Sequence, residues 1–385
     1  MNTHKIKALA HLLMVAVLAV SFSACDESQP MAPEEGLPEE ISIGVVLPLS
    51  GPIESIGTTM LNAAELALEE INRAQLCNAN IKFIVKDSKS TVEDAVLAFN
   101  ELIDQDSVTA VIGPATSSAS QTAFPIAQQN QVVSLSPTAA ASGLAETGDY
   151  AFQANLTVDV VIPGGVRSTQ QKIGYQKAAV LVDSTDVFSQ SAYEALESAF
   201  NDNGVELLTT ETLVTDDVDF SAQLNRIKDA SPDAVYILTL PNEAVGVLTQ
   251  ARDLGIPEDV TILVPFALSA TEIETAGAAA EGVVTFSTWI SSAKTPGNQA
   301  FVENYRAKHG VEPNRFLAQA YASVYILAEA IRSAGSVDSG AIRDAMADIR
   351  NLDTVLGEFS IDANGRGVYD PILLIVNNGE LEIFE

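Results

Sequence analysis

Residues 43–72 read IGVVLPLSGPIESIGTTMLNAAELALEEIN. An apolar run rich in β-branched residues stops at Ser50-Gly51-Pro52. A short polar loop carrying Ile53 and Ile56 follows, and then apolar residues recur at helical spacing. Such a strand, turn and amphipathic helix form the opening unit of a parallel α/β sheet. The turn leaves small polar groups and unpaired backbone N–H groups at the C-terminal end of the strand. Pro52 stiffens it, and Gly51 allows a close backbone approach, expected here to be toward a ligand.

The same rhythm runs outward from this unit. Strands are expected at 41–47, 81–88, 108–114 and 131–137, with helices at 57–75, 92–106 and 118–129 between and after them. It restarts with strands at 177–183, 205–212, 233–240 and 260–266, and with helices at 189–203, 220–230 and 242–254. The remainder adds helices at 298–308, 316–333 and 339–349, then strands at 370–376 and 380–384. Short Val- and Ile-rich runs alternating with helices predict an α/β fold of two doubly wound parallel-sheet lobes. Residues 41–155 with 287–369 are expected to form one lobe, and 156–286 with 370–385 the other. Several chain crossings between them would make a hinge, and the cleft a site.

Length supports two such units: 385 residues, 47% of them hydrophobic, exceed one ordinary core. The first 24 residues read differently. Lys5 and Lys7 precede the apolar segment ALAHLLMVAVLAV at 8–20, and small residues lead into Cys25. This is the pattern of a secretory leader, and it resembles a bacterial lipobox in which Cys25 is lipidated. Residues 25–40, rich in Pro and Glu, read as an acidic tether. A location outside the cytoplasm, held to a membrane by the lipid, follows. The 51 acidic residues outnumber the 20 basic ones, for a net charge of −31. A surface of that sign repels nucleic acid.

Past the tether one cysteine (Cys77) and one histidine (His309) remain. They cannot assemble a Cys/His metal site, and no metal or cofactor is expected. Cys77 reads as half-buried and His309 as an exposed helix end. SSAK at 291–294 matches a serine acyl-transfer spacing but lacks companion motifs. No P-loop is present and no dinucleotide fingerprint follows the first strand. DANGRG at 362–367 reads as a turn, not a calcium loop. No enzyme is indicated.

In open parallel sheets, ligands lie beyond the C-terminal strand ends. The first-lobe ends are LPLSGPIESIG, KDSKST, IGPATSSASQ and SLSPTAAAS, mostly small and hydroxyl-bearing. In the third, Ser117 or Ser118 is expected to cap a helix whose N-terminus suits a carboxylate or another polar head.

Four segments carry a closer likeness. They are the opening stretch, VTAVIGPATSSASQTAFPIAQQNQVVSLSPTAAAS, KAAVLVDSTDVFSQSAYEALESAF and DFSAQLNRIKDASPDAVYILTLPNEAVGVLTQARDLG. Together they resemble the leucine/isoleucine/valine-binding family, the type I periplasmic substrate-binding proteins of ABC importers, over residues 41–385. The resemblance implies a small-molecule ligand and permease and ATPase partners. It implies ligand contacts from Ser50 and Ile56 in the first loop, from Ala115, Thr116 and Ser117, and from Thr138, Ala139 and Ala140. Ser117 matches a serine that binds the ligand carboxylate. In the second lobe it implies Phe188, Leu240 and Phe266, with Phe316 as an apolar wall. Ala140, Leu240 and Phe266 stand where amino-acid binders carry a hydroxyl, an aromatic hydroxyl and an acid. An ammonium therefore lacks its counter-charge unless Asp186, Glu243 or Glu272 supplies one. An apolar or aromatic carboxylate, or a neutral amide, fits better than a free amino acid. The same fold also serves sensors, so a ligand-binding component signalling to a separate membrane partner is the alternative.

Overall fold

The structure, a computed structural model, describes residues 36–385. The leader, Cys25 and the tether through residue 35 lie outside the described residues. Two separate sheets carry the fold. The first contains β1 (Glu40–Leu47), β2 (Asn80–Asp87), β3 (Ala110–Ile112), β4 (Val133–Ser136) and β5 (Ala151–Gln153), in the order β2-β1-β3-β4-β5. All its pairings are parallel.

The second sheet is larger. Its parallel part runs β7 (Glu206–Leu213), β6 (Lys177–Asp183), β8 (Ala234–Leu238), β9 (Thr261–Leu263) and β10 (Val284–Ser287). The last strands, β14 (Ile372–Asn377) and β15 (Glu380–Ile383), extend it antiparallel beyond β10. A small antiparallel sheet of β11 (Leu352–Thr354), β12 (Gly357–Ile361) and β13 (Gly367–Val368) lies before them in the chain. In both large sheets the strand order reverses beside the opening strand: between β1 and β3, and between β6 and β8.

Helices cover the sheets because their apolar faces match. On α1 (Glu54–Ala74), Met60, Ala63, Ala64, Ala67 and Ile71 are buried at helical spacing. That face packs against α10 (Arg315–Ala334), whose many alanines permit close approach. α2 (Val92–Asp104) and α3 (Ser117–Asn130) flank the first sheet; α5 (Val187–Asn203), α6 (Ser221–Ala230) and α7 (Pro241–Asp253) flank the second. α9 (Asn298–His309) ties to α1 through Lys308–Glu69 and Asn304–Glu70. α11 (Ser339–Ala347) packs on α10.

Several elements depart from the sequence-based expectation. α4 (Val158–Ile173) contains Pro163, Gly164 and Gly165, which hide its helical pattern. A β-carbon on Gly165 would stand 2.4 Å from the Phe286 ring, so only glycine lets α4 seat on β10. β5, β10 and the small sheet are too short to stand out, as is α8 (Ala270–Ala276). Cys77 is fully buried, not half-buried: its thiol donates to the Ala328 carbonyl (3.3 Å), and desolvation raises its pKa to about 11. His309 ends α9, stacked on Tyr305. Asp362 accepts from the N–H groups of Asn364 and Arg366 and pairs with the Arg366 guanidinium, so DANGRG is a closed turn. Among the described residues no helix is long and apolar enough to cross a membrane. None of their His, Cys, Asp and Glu side chains cluster as a metal site would.

Candidate functional site

A cavity of about 70 Å³ lies where the C-terminal strand ends of both sheets meet. Its walls include residues from both points of strand-order reversal, the crevices where open α/β sheets hold ligands. After β1 come Pro48, Ile53, Ile56 and Met60; after β3, Ala115, Thr116 and Ser117; after β4, Thr138 and Ala140. From the other side come Phe188 after β6, Thr239, Leu240 and Pro241 after β8, and Phe266 and Ala267 after β9. Asn155, Arg315 and Phe316 complete it.

All the site residues expected from the sequence therefore line this cavity except Ser50 and Ala139. The Ser50 hydroxyl is turned away and donates to Asp87 Oδ2 (2.6 Å). Burial pushes the Asp87 carboxyl up, but this bond and the N–H groups of Lys89, Leu49 and Ser50 outweigh it and hold the carboxyl below its usual range. Gly51, at φ +89°, makes its close approach to the Lys89 carbonyl and not to the cavity: a β-carbon on Gly51 would stand 2.6 Å from that oxygen. Ala139 is buried against Phe124 and Leu144.

The hydroxyl wall is internally bonded. Thr116, not Ser117 or Ser118, caps α3, accepting from the Ala119 N–H. Ser117 Oγ accepts from the N–H groups of Ala140 and Ala141, both at 3.2 Å. Thr138 Oγ1 donates to the Ala115 carbonyl (2.6 Å), and Asn155 Nδ2 donates to the Thr138 carbonyl (2.9 Å). The O–H groups of Thr116 and Ser117 and the first two N–H groups of α3 are donors this wall retains, since the Ala119 and Ser120 N–H groups are bonded to Thr116.

The opposing wall is aromatic. Phe188 and Phe266 meet edge to face, with centroids 5.8 Å apart. Phe266 holds φ +65°, a left-handed conformation rare for an aromatic residue. Its carbonyl accepts from Arg315 Nη2, and the Arg315 guanidinium lies 3.8 Å from the Phe316 ring centroid. Arg315 is the sole ionisable side chain among the lining residues. Burial lowers its pKa to about 10, against the pull of Glu272 and Tyr369. It stays charged at neutral pH.

The three acids considered as counter-charges are employed elsewhere. Asp186 caps α5 by accepting from the Ser189 N–H; Glu243 accepts from the Asp216 N–H; Glu272 closes a capping box with Ser269. None lines the cavity. Pro48, Met60, Asn155, Thr239, Pro241, Ala267 and Arg315 are lining residues that sequence reasoning does not anticipate. For Arg315 a signal exists: a cation at the first position of a helix opposes the helix dipole.

Hydrogen bonds cross the mouth between loops of the two sheets. Ser118 Oγ donates to Asp186 Oδ1 (2.9 Å) and accepts from the Val187 N–H (3.1 Å). Asn242 Nδ2 donates to the Pro52 carbonyl (2.8 Å), and the Ser142 N–H donates to Ser191 Oγ (2.9 Å). Beneath the cavity, the chain passes between the two sheets after β5, after β10 and after β13. Asn155, Thr288 and Tyr369 sit at these crossings, and Gln319 of α10 ties them: its amide donates to Asn155 Oδ1 and Thr288 Oγ1, and Tyr369 Oη donates to Asn155 Oδ1.

Known proteins share this architecture. The periplasmic binding protein family model matches residues 40–380. The Leu/Ile/Val-binding protein BraC3 of Rhizobium johnstonii is 26% identical over 336 residues, covering 85% of this chain and 88% of that protein. The crystal structure of the branched-chain amino acid transporter substrate-binding protein LivJ from Streptococcus pneumoniae, in complex with isoleucine, is 30% identical. It superimposes with a TM-score of 0.82 over 89% of this chain and 98% of that one. The leucine-binding protein LivK of Thermotoga maritima, 26% identical, gives a TM-score of 0.85 over 90% of this chain and 98% of that one. With its paired parallel sheets and a family match spanning nearly all described residues, the chain belongs to the periplasmic binding protein family, a family of extracytoplasmic solute-binding proteins.

Proposed function

We propose that this protein is the substrate receptor of an ABC importer, closing two lobes over a small solute with a polar or anionic head and an apolar body. Residues 41–155 with 287–369 form one lobe in this reading, and 156–286 with 370–385 the other. The observation that carries it is the cavity at the facing strand ends: retained donors at Ser117 and the start of α3 on one side, the Phe188–Phe266 pair on the other. Relatives named as Leu/Ile/Val-binding proteins support an importer and partnership with a permease and an ATPase. The ligand differs from theirs in this reading, because no lining residue can neutralise an ammonium. A thermal-shift screen of small carboxylates, amides and amino acids, followed by small-angle scattering with each hit, tests the receptor. A true ligand raises the melting temperature and reduces the radius of gyration; a hit that leaves the radius unchanged at saturation refutes lobe closure.

Lipidation at Cys25 would hold the receptor at the membrane. Cys25→Ser is expected to release it into the soluble fraction, and a variant that stays membrane-bound in high salt contradicts the anchor.

A further inference from the structure

Arg315 breaks three rules at once. It is a cation at the first position of α10, where the helix dipole is positive. It is 6% exposed, yet it makes no salt bridge with any described carboxylate. Its Nε is buried with no hydrogen-bond partner, while Nη2 is anchored on the Phe266 carbonyl. A buried charge in such a position is costly unless something pairs with it.

The nearest acid does not fill that role. Glu272 accepts from both the N–H and the hydroxyl of Ser269, which fixes its carboxylate at the start of α8. Asn314, next to Arg315, is committed to capping α10 through the N–H groups of Phe316 and Leu317. Stacking on Phe316 holds the guanidinium plane in place. A planar fork so anchored matches a carboxylate better than any point acceptor.

We propose that Arg315 is the specificity-determining residue of this cavity: it pairs with a carboxylate of the solute and excludes solutes bearing an ammonium there. The inference rests on the receptor reading above and narrows it to an anionic, amine-free carboxylate. The solute's apolar body lies against Phe188, Phe266 and Ile56. A carbonyl or second carboxylate oxygen reaches the Ser117 hydroxyl. The charge logic is inverted relative to an amino-acid site: a fixed cation stands where a fixed anion would be needed.

The test compares matched solutes on one skeleton: leucine, 4-methylvalerate, 4-methyl-2-oxovalerate and 4-methylvaleramide. A wider panel adds aromatic and linear carboxylates with their amides and amino acids. Calorimetry and thermal shift are read on wild type, Arg315→Met and Arg315→Lys, with urea unfolding to establish that each variant is folded. Hits are expected among amine-free carboxylates only. Arg315→Met should weaken them at least about 30-fold, equivalent to about 2 kcal/mol, and Arg315→Lys should recover part of the loss. An amino acid or amide that binds wild type and Arg315→Met equally overturns the role of Arg315 while leaving the receptor intact. So does a panel in which carboxylates fail and other solutes bind. If no solute of any class shifts the folded protein, both the role of Arg315 and the receptor reading fall.

Discussion

Two helices begin at the cavity, and they begin differently. At α3 a threonine caps the helix through the Ala119 N–H, and Ser117 accepts from two N–H groups of the loop after β4. At α10 an asparagine cap is followed by a buried arginine with an unpartnered Nε. The first terminus is held by its own surroundings, keeping only the donors that face the cavity, and serves as a rigid platform. The second carries a buried charge that no described carboxylate meets in a salt bridge. Residues at the two termini are therefore predicted to fail in opposite ways: the platform through stability, the arginine through recognition.

The largest effect is expected at Ser117. Ser117→Ala removes the acceptor of two buried N–H groups, at about 1–3 kcal/mol each if unmet, so a stability loss of roughly 2–6 kcal/mol is expected in urea unfolding. Ligand affinity should fall as well. A variant as stable as wild type, altered in affinity alone, would erase the distinction between the two termini.

Ser118 sharpens the comparison, because its hydroxyl bonds across the mouth to the Asp186 carboxylate and the Val187 N–H. Ser118→Ala should shift the open–closed equilibrium of the unliganded protein further toward the open form by roughly 1.5–3 kcal/mol, the usual worth of a hydrogen bond to a charged group. Small-angle scattering would show a larger radius of gyration without ligand, recovered at saturation. An unchanged unliganded radius would mean that these bonds do not hold the mouth.

At α10 the stability effect should be smaller and of the other sign. Arg315→Met removes a buried charge without a salt-bridge partner, but also its stacking on Phe316 and its hydrogen bond to the Phe266 carbonyl. The unliganded variant should lie between wild-type stability and about 2 kcal/mol above it. A clear destabilisation would show that Arg315 is already balanced by its neighbours.

The smallest effect concerns pH. Burial raises the Asp186 carboxyl above its ordinary value of 3.8, more than its bonds from Ser189 and Ser118 lower it. The folded state thus holds this proton more tightly than the unfolded chain. Its contribution to stability is complete below 3.8 and is lost as pH rises through the raised folded value. Stability of wild type minus that of Asp186→Asn should accordingly fall as pH climbs from 3.8. A difference that is flat, or that rises with pH, contradicts the assignment.

The site itself is legible in part. Thr116, Ser117 and Thr138 stand out because small hydroxyl residues directly after a buried strand are a local pattern, readable within about ten residues. Ser50 belongs to the same pattern yet bonds to Asp87, 37 positions away. Nothing in its own segment encodes that partner. Asn155 escapes notice because its role depends on where the crossing chains meet, with Gln319 lying 164 positions further on. Arg315 sits in PNRFLAQ, a capped helix start whose one oddity is a cation at the positive end of the helix dipole. Only burial beneath Phe266 turns that arginine from a solvated surface charge into a buried one.

By itself the sequence determined the α/β class, the strands and helices with strong periodicity, and the hydroxyl-bearing loops. These depend on side-chain alternation, capping and turn chemistry, all acting between near neighbours. Tertiary structure alone decided that β14 and β15 run antiparallel at the edge of the second sheet, that glycine-bearing α4 is a helix, and that Arg315 faces Phe188 and Phe266 around one cavity. Those outcomes turn on desolvation and packing between segments far apart in the chain. The cost of burying a charge or the gain of seating a glycine against a ring exists only once the chain has closed on itself.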